Sequence, residues 1–141
     1  MNKIKKVAAV AGLGLALAVS GGLATSDAWA GDAKAGAKVY KKCKACHTLK
    51  GKHRVGPTLE GIIGRTAGAA DGYKFSKDMK AAGAKGLVWS EENLIAYLKK
   101  PKKWLGEYLG KKKAKTKMAF NGLKKDKHRE DLIAYLKAET M

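Results

Sequence analysis

Acidic side chains, cysteine and proline are scarce in this sequence. The 141 residues include 12 aspartates and glutamates against 30 lysines and arginines, and only two cysteines and two prolines. So positive a chain favours an acidic partner such as nucleic acid, an anionic lipid or an acidic protein face. A disulfide between Cys43 and Cys46 would close a very tight loop, which would constrain little of the unfolded chain.

Long hydrophobic runs are absent after the N-terminal region. There, three lysines precede an uncharged run at 7–19, and small residues follow up to Ala30. The run is short of the roughly 20 residues that a membrane-spanning helix needs, and the pattern is typical of a secretory signal peptide. We therefore predict a signal peptide at 1–30, cleaved after Ala30, with a retained anchor helix as the alternative. The exported domain at 31–141 would have no membrane span, and export argues against nucleic acid as its partner.

Apolar spacing and capping residues predict three main helices in one small domain. Asp32 is a candidate N-cap of a first helix that runs into the two cysteines. Ser90 caps a second helix over EENLIAYLKK, which Pro101 stops. The third covers DKHREDLIAYLKAE at 126–139, and a shorter helix is predicted over 102–110.

Glycine dominates the stretch from 48 to about 79. It predicts irregular backbone, apart from a turn of helix near 59–63. The alternation typical of strands does not occur. We therefore expect an all-α domain with long loops, and loops this long in so small a domain usually wrap a ligand or serve a function.

The two cysteines and a histidine form the pentad CKACH at 43–47. A thioredoxin-like redox pair would need a βαβ setting, and a zinc site would need a second ligand pair where only His53 and His128 remain. The spacing C-x-x-C-H is typical of covalent haem attachment. In that interpretation Cys43 and Cys46 form thioethers with one haem c, and His47 binds the iron from one side.

The iron would still need a residue at its sixth position, or would leave that position open. Residues with a suitable atom are several lysines, His53, His128, Met79, Met118 and Met141. A methionine is more often core filler than a ligand. However, Met118 lies in the polar loop KTKMAFNG directly before the last helix, where core filling explains it poorly. The spacing therefore favours Met118 and leaves the others open.

Several motifs in order resemble those of the class I c-type cytochromes, and within them the long cytochrome c2 group, similar to mitochondrial cytochrome c. They are CKACH, VGPTLEGIIGR, GYKFS, WSEENLIAYLKKPKKW, TKMAF and REDLIAYLK. The resemblance implies a class I cytochrome c fold wrapped around one covalently bound haem. It also implies that Met118 is the second axial ligand, and that the protein is not an enzyme.

The resemblance implies roles for residues around the haem as well. The carbonyl of Pro57 would accept the Nδ1 hydrogen of the ligand histidine and fix its tautomer. Arg65, Tyr73 and Trp89 would surround the haem propionates and offer charge and donors to them. Phe75 stands where many members have tyrosine, so one hydroxyl to a propionate would be missing.

Two further features follow from the resemblance. Gly36 and Tyr40 on the first helix would pack against Leu132 and Tyr135 on the last, because glycine allows close approach. The segment LGEYLGKKKAK at 105–115 is longer than in the mitochondrial proteins and should add a helical turn near the methionine loop.

Lysines near these motifs would ring the exposed haem edge in this family. They are Lys42, Lys44, Lys102, Lys103, Lys117, Lys124 and Lys125. The resemblance implies a monomeric periplasmic one-electron carrier. It would dock on acidic faces of membrane redox complexes, between a cytochrome bc complex and a terminal oxidase or photosynthetic reaction centre. The alternatives are a haem peroxidase or gas-binding protein with a labile sixth ligand, and a cationic lipid-binding protein.

Overall fold

The structure, a computed structural model, describes residues 30–141, so the predicted signal peptide lies outside it except for Ala30. The described residues form α1 (Ala33–Tyr40), α2 (Lys77–Ala84), α3 (Glu91–Lys99), α4 (Pro101–Tyr108) and α5 (Asp126–Thr140). Their one β pairing is an isolated antiparallel bridge between Thr66 and Val88. The all-α prediction is therefore confirmed. None of these helices is long and apolar enough to cross a membrane.

Side-chain caps begin the helices where the sequence predicts them. Asp32 accepts hydrogen bonds from the backbone N–H groups of Lys34 and Ala35 at 2.8 and 3.3 Å. Ser90 accepts one from the N–H of Asn93 at 3.1 Å. Pro101 ends α3 and is the first residue of α4, a position where its missing N–H is not needed.

Helix α2 corrects the sequence prediction, because it begins inside the stretch predicted to be irregular. Ser76 caps it by accepting the N–H of Met79 at 3.2 Å. Gly83 interrupts the apolar pattern of α2. A glycine is needed there because a Cβ would lie 1.9 Å from the carbonyl oxygen of Ala67. The predicted turn of helix near 59–63 is realised as two successive turns, and it does not form a helix.

Helices α1 and α5 cross at very close range. A Cβ on Gly36 would lie 2.0 Å from the carbonyl oxygen of Asp131 and 2.6 Å from the Cβ of Tyr135. The rings of Tyr40 and Tyr135 have centroids 5.5 Å apart. The predicted approach of Gly36 and Tyr40 to α5 is confirmed, and Leu132 belongs to the same buried core.

The 105–115 segment contributes both helix and loop. Its first part forms the last turn of α4, and the helix ends before Gly110, whose φ of +70° favours glycine. The remainder, 111–115, is an irregular loop that leads to Met118.

Candidate functional site

An apolar cavity of about 270 Å³ opens among the helices and loops. Its lining includes Cys43, Cys46, His47 and Met118, which lie in two segments far apart in the sequence. The fold thus brings together the four residues that the sequence singles out.

The pentad forms a compact turn directly after α1. The N–H groups of Cys46 and His47 donate to the carbonyl of Cys43 at 3.0 and 2.9 Å, and the hydroxyl of Tyr40 donates to the carbonyl of His47 at 2.9 Å. Cys43 is half-buried and Cys46 is exposed, and the two sulfurs are not joined in a disulfide. Burial raises the pKa of the Cys43 thiol to about 11. Both thiols and the imidazole therefore lie in one turn at the cavity wall.

The imidazole of His47 is held on two sides. Its Nδ1 lies 2.7 Å from the carbonyl oxygen of Pro57, so Nδ1 carries the hydrogen and Nε2 keeps a lone pair. A Cβ on Gly56 would lie 2.5 Å from the ring, so only glycine lets the backbone pass so close. Burial lowers the pKa of His47, which favours the neutral imidazole that metal binding requires.

Met118 is partly buried at the cavity. The hydroxyl of Tyr97 donates to its sulfur at 3.5 Å. Thr116 fixes the backbone around it, because its Oγ1 accepts the N–H of Met118 and donates to the carbonyl of the same residue, both at 3.1 Å. Burial raises the pKa of Tyr97, so this hydroxyl keeps its proton. Met79 also reaches the cavity, but from within the core of the domain.

Arg65, Tyr73 and Trp89 all line the same cavity. The guanidinium of Arg65 donates to the carbonyls of Thr58 and Glu60 at 3.0 and 2.9 Å. The hydroxyl of Tyr73 donates to the carbonyl at position 55 at 2.7 Å. Arg65 and Tyr73 therefore brace the loop that carries Pro57. Phe75 lines the cavity too, with its ring centroid 4.7 Å from that of Tyr73.

Sequence reasoning missed much of the cavity wall. Leu94, Tyr97 and Leu98 of α3, with Leu132 and Leu136 of α5, line the cavity and belong to the buried core. Their spacing of three and four residues was the available signal, since it marks one face of a helix. The sequence shows that such a face is buried, but not that a cofactor site lies beneath it.

His53, one of the candidate ligands, bridges two loops. Its Nδ1 accepts the N–H of Thr58 at 2.9 Å, and its Nε2 lies 2.6 Å from the carbonyl oxygen of Asp71. Both ring nitrogens thus have backbone partners, which explains this histidine as a structural link.

The seven lysines predicted to surround the site are all exposed. Lys42 and Lys117 line the cavity itself. The ammonium of Lys117 donates to the carbonyl of Lys74 and lies 5.9 Å from the ring centroid of Tyr73. Lys103 forms an ion pair with Glu107 on the same helix.

The donor set at the cavity does not suit a bare metal ion. Residues 30–141 contain no group of three or more His, Cys, Asp or Glu side chains that could hold one. One imidazole and one thioether are too few ligands, unless a cofactor fills the remaining positions of the metal. A porphyrin does so, and two thiols in the same turn can bond to its edge.

Comparison with known proteins decides between a bare metal ion and a porphyrin. The family model Cytochrome c matches residues 33–139. The chain belongs to the cytochrome c family. Cytochrome c2 of Rhodospirillum rubrum is 46% identical over 136 residues, which cover 95% of this chain and 98% of that protein. Cytochrome c of Guizotia abyssinica is 47% identical over 118 residues, which cover 82% of this chain and 96% of that protein.

Solved structures confirm the class I cytochrome c fold. The structure of cytochrome c2 from Rhodospirillum centenum superposes with a TM-score of 0.73 at 43% identity, covering 79% of this chain and all of that one. That of Rhodopseudomonas palustris ferricytochrome c2 gives 0.71 at 40% identity, covering 77% and 98%. Proteins of this cytochrome c2 group carry electrons, are not enzymes, and hold one covalently bound haem c. The apolar cavity and its thiol, imidazole and thioether donors fit a haem c.

Proposed function

We propose that this protein is a periplasmic one-electron carrier whose haem c is tethered by Cys43 and Cys46 and bound axially by His47 and Met118. One observation carries the proposal, namely that these four residues line a single apolar cavity. When bound, the haem supplies an iron that alternates between the ferric and ferrous states. The chain supplies the tether, the two axial donors and the surroundings that set the potential.

The protein groups around the two donors favour ferrous iron or fix the donor orientation. The thioether of Met118 is a soft ligand that raises the potential relative to a second histidine. Pro57 fixes the ring of His47 through the 2.7 Å contact with Nδ1 and strengthens it as a donor. The apolar lining penalises the extra positive charge of ferric iron.

We assign the haem propionates to the neighbourhood of Arg65, Tyr73 and Trp89. All three line the cavity, and the guanidinium of Arg65 is a half-buried cation in a mostly apolar wall. A propionate buried there would gain a charge partner that offsets part of its desolvation. The missing hydroxyl at Phe75 would leave one donor fewer.

Occupied axial positions should make the iron a poor binder of external ligands. With His47 and Met118 bound, we expect the ferric holoprotein to be low-spin and to bind azide or turn over hydrogen peroxide only weakly. Absorption spectra and azide titration at neutral pH measure this. High-spin iron in the purified protein, or rapid peroxide turnover, would instead support the peroxidase alternative.

The exposed lysines support docking on an acidic protein face. Our proposal is that Lys42, Lys44, Lys102, Lys103, Lys117, Lys124 and Lys125 surround the docking face. The partners would be membrane redox complexes, with electrons accepted from a cytochrome bc complex and passed to a terminal oxidase or reaction centre. Positive charge around the site speeds encounter with an acidic partner. Salt weakens this attraction, so the complex can also separate quickly, as a shuttle requires.

A charge-neutralised variant tests this docking face. Replacing Lys42, Lys102 and Lys125 together with glutamine should slow electron transfer to a purified partner complex about tenfold at low salt, and should flatten the salt dependence. The matched control replaces Lys34, Lys38 and Lys50, which are also exposed but are not among the seven lysines of the proposed docking face. If both triple variants slow the reaction equally, the docking face is wrong and only net charge matters.

The location follows from the predicted signal peptide at 1–30. Three lysines, a short apolar run and small residues before Gly31 support export to the periplasm and cleavage after Ala30. The remaining 31–141 would then act as a monomeric cytochrome c domain.

A further inference from the structure

Asp78 is a buried carboxylate in the first turn of α2 that bonds to a distant loop. Its Oδ1 pairs with the ammonium of Lys111, and its Oδ2 accepts the backbone N–H of Lys115 at 2.7 Å. Both oxygens are therefore engaged by the irregular loop at 111–115. Hydrogen bonding from Lys111 lowers the pKa of Asp78, so the carboxylate stays ionised at neutral pH.

The same loop also packs against α4. The N–H of Ala114 donates to the carbonyl of Lys102 at 3.2 Å, and Ala114 is buried. The N–H of Lys111 donates to the carbonyl of Gly106 at 2.8 Å, and a Cβ on Gly106 would lie only 2.9 Å from the Cα of Lys113. Asp78 thus joins to α2 the same loop that also bonds to α4.

The loop itself carries a concentration of like charge. It contains four lysines, at 111, 112, 113 and 115, whose mutual repulsion favours an open loop. Among residues 30–141, Asp78 is the one acidic side chain that forms an ion pair with any of them. Removing its charge would leave this repulsion unopposed.

The segment that Asp78 holds ends at Met118. Lys115, whose N–H bonds to Asp78, lies three residues before Met118, and Thr116 fixes the intervening turn through its two bonds to Met118. A shift of the loop at Lys115 would therefore move the backbone that carries the Met118 sulfur.

We propose that Asp78 is a positioning residue for the sixth ligand, which holds the 111–115 loop closed so that the sulfur of Met118 stays in the cavity. This inference rests on the proposed role of Met118 as that ligand. The carboxylate does not touch the cofactor site and acts only through Lys111 and the backbone of Lys115.

The test uses the haem-loaded protein and the displacement of Met118 by imidazole. Asp78→Asn keeps the size of the side chain but removes its charge, and Lys111→Gln removes one partner while leaving Asp78 in place. The matched control is Glu91→Gln, because Glu91 also lies in the first turn of a helix and pairs with a distant lysine, Lys137 at 2.6 Å. The readouts are the long-wavelength charge-transfer band of thioether-bound ferric iron and the rate at which imidazole abolishes it.

We expect Asp78→Asn to speed displacement on the order of tenfold, since it removes a charge-assisted hydrogen bond, which is stronger than a neutral one. Lys111→Gln should give a smaller increase, and Glu91→Gln should match the unchanged protein. The positioning role is wrong if Asp78→Asn and Lys111→Gln both show the displacement rate of the unchanged protein. It is also wrong if Glu91→Gln shows an equal rise in that rate. If Asp78→Asn does not fold, Lys111→Gln against Glu91→Gln decides the question.

The same spectra separate this inference from the proposed function. If the unchanged holoprotein lacks the thioether band, the ligand assignment of Met118 fails and the positioning role falls with it. If the band is present in the unchanged protein and imidazole displacement is insensitive to Asp78 and Lys111, only the positioning role is wrong.

Discussion

Replacement of Met118 with histidine should lower the midpoint potential of the holoprotein by a few tenths of a volt, within the roughly 0.8 V range that axial ligands span. A histidine nitrogen is a harder donor than a thioether, so it stabilises ferric iron relative to ferrous iron. The hydroxyl of Tyr97, which now lies 3.5 Å from the sulfur, would also lose that partner. Spectroelectrochemical titration of the two proteins measures the difference.

Met79 provides a matched control, because its side chain also reaches the cavity. Met79 is 8% exposed and packs in the core, so Met79→Leu should remove a sulfur without changing the axial ligands. We expect its potential and its thioether absorption band to stay close to those of the unchanged protein. Loss of the band in Met79→Leu, with retention in Met118→His, would show that the ligand assignment is wrong.

Replacement of Gly36 with alanine should destabilise the folded holoprotein by about 3 kcal/mol, the upper end of the usual overpacking range. The added Cβ would lie 2.0 Å from the carbonyl oxygen of Asp131, so α1 and α5 would have to separate. Intrinsic helix propensity predicts the opposite sign, a gain of about 1 kcal/mol for alanine over glycine. Denaturant unfolding therefore distinguishes the two effects by the direction of the change.

Lys38→Ala on the same helix is the control for propensity alone. Lys38 is exposed, so its removal should change the free energy of unfolding by less than about 0.5 kcal/mol. If Gly36→Ala stabilises the protein as much as propensity predicts, the close crossing of α1 and α5 is wrong.

Local signals predicted three helices well, and they failed where tertiary contacts decide. Asp32 and Ser90 begin α1 and α3 as caps, because capping depends only on neighbouring residues. Helix α2 was missed because Gly83 breaks its apolar pattern. That glycine is required by the backbone of Ala67, and the sequence alone does not show that contact.

The parts of the candidate site with local sequence signals were likewise predicted, and the parts that depend on tertiary contacts were not. CKACH is a local motif. Met118 stood out because a methionine in a polar loop is poorly explained as core filler. The wall formed by Tyr97 was not predicted, since an apolar face has the same pattern whether it covers a core or a cofactor. The pairing of Asp78 with Lys111 joins residues 33 positions apart, and nothing in either local sequence indicates it.

The cavity has a consequence for how the stability of the domain depends on concentration. Tyr97, Leu98 and Leu132 line it and also belong to the hydrophobic core, so the haem completes the packing of the domain. A reversibly bound cofactor stabilises its protein by an amount that falls with its free concentration, and dilution would strip it. A covalently attached haem is exempt from this mass action. The core of this carrier should therefore keep its stability at any dilution.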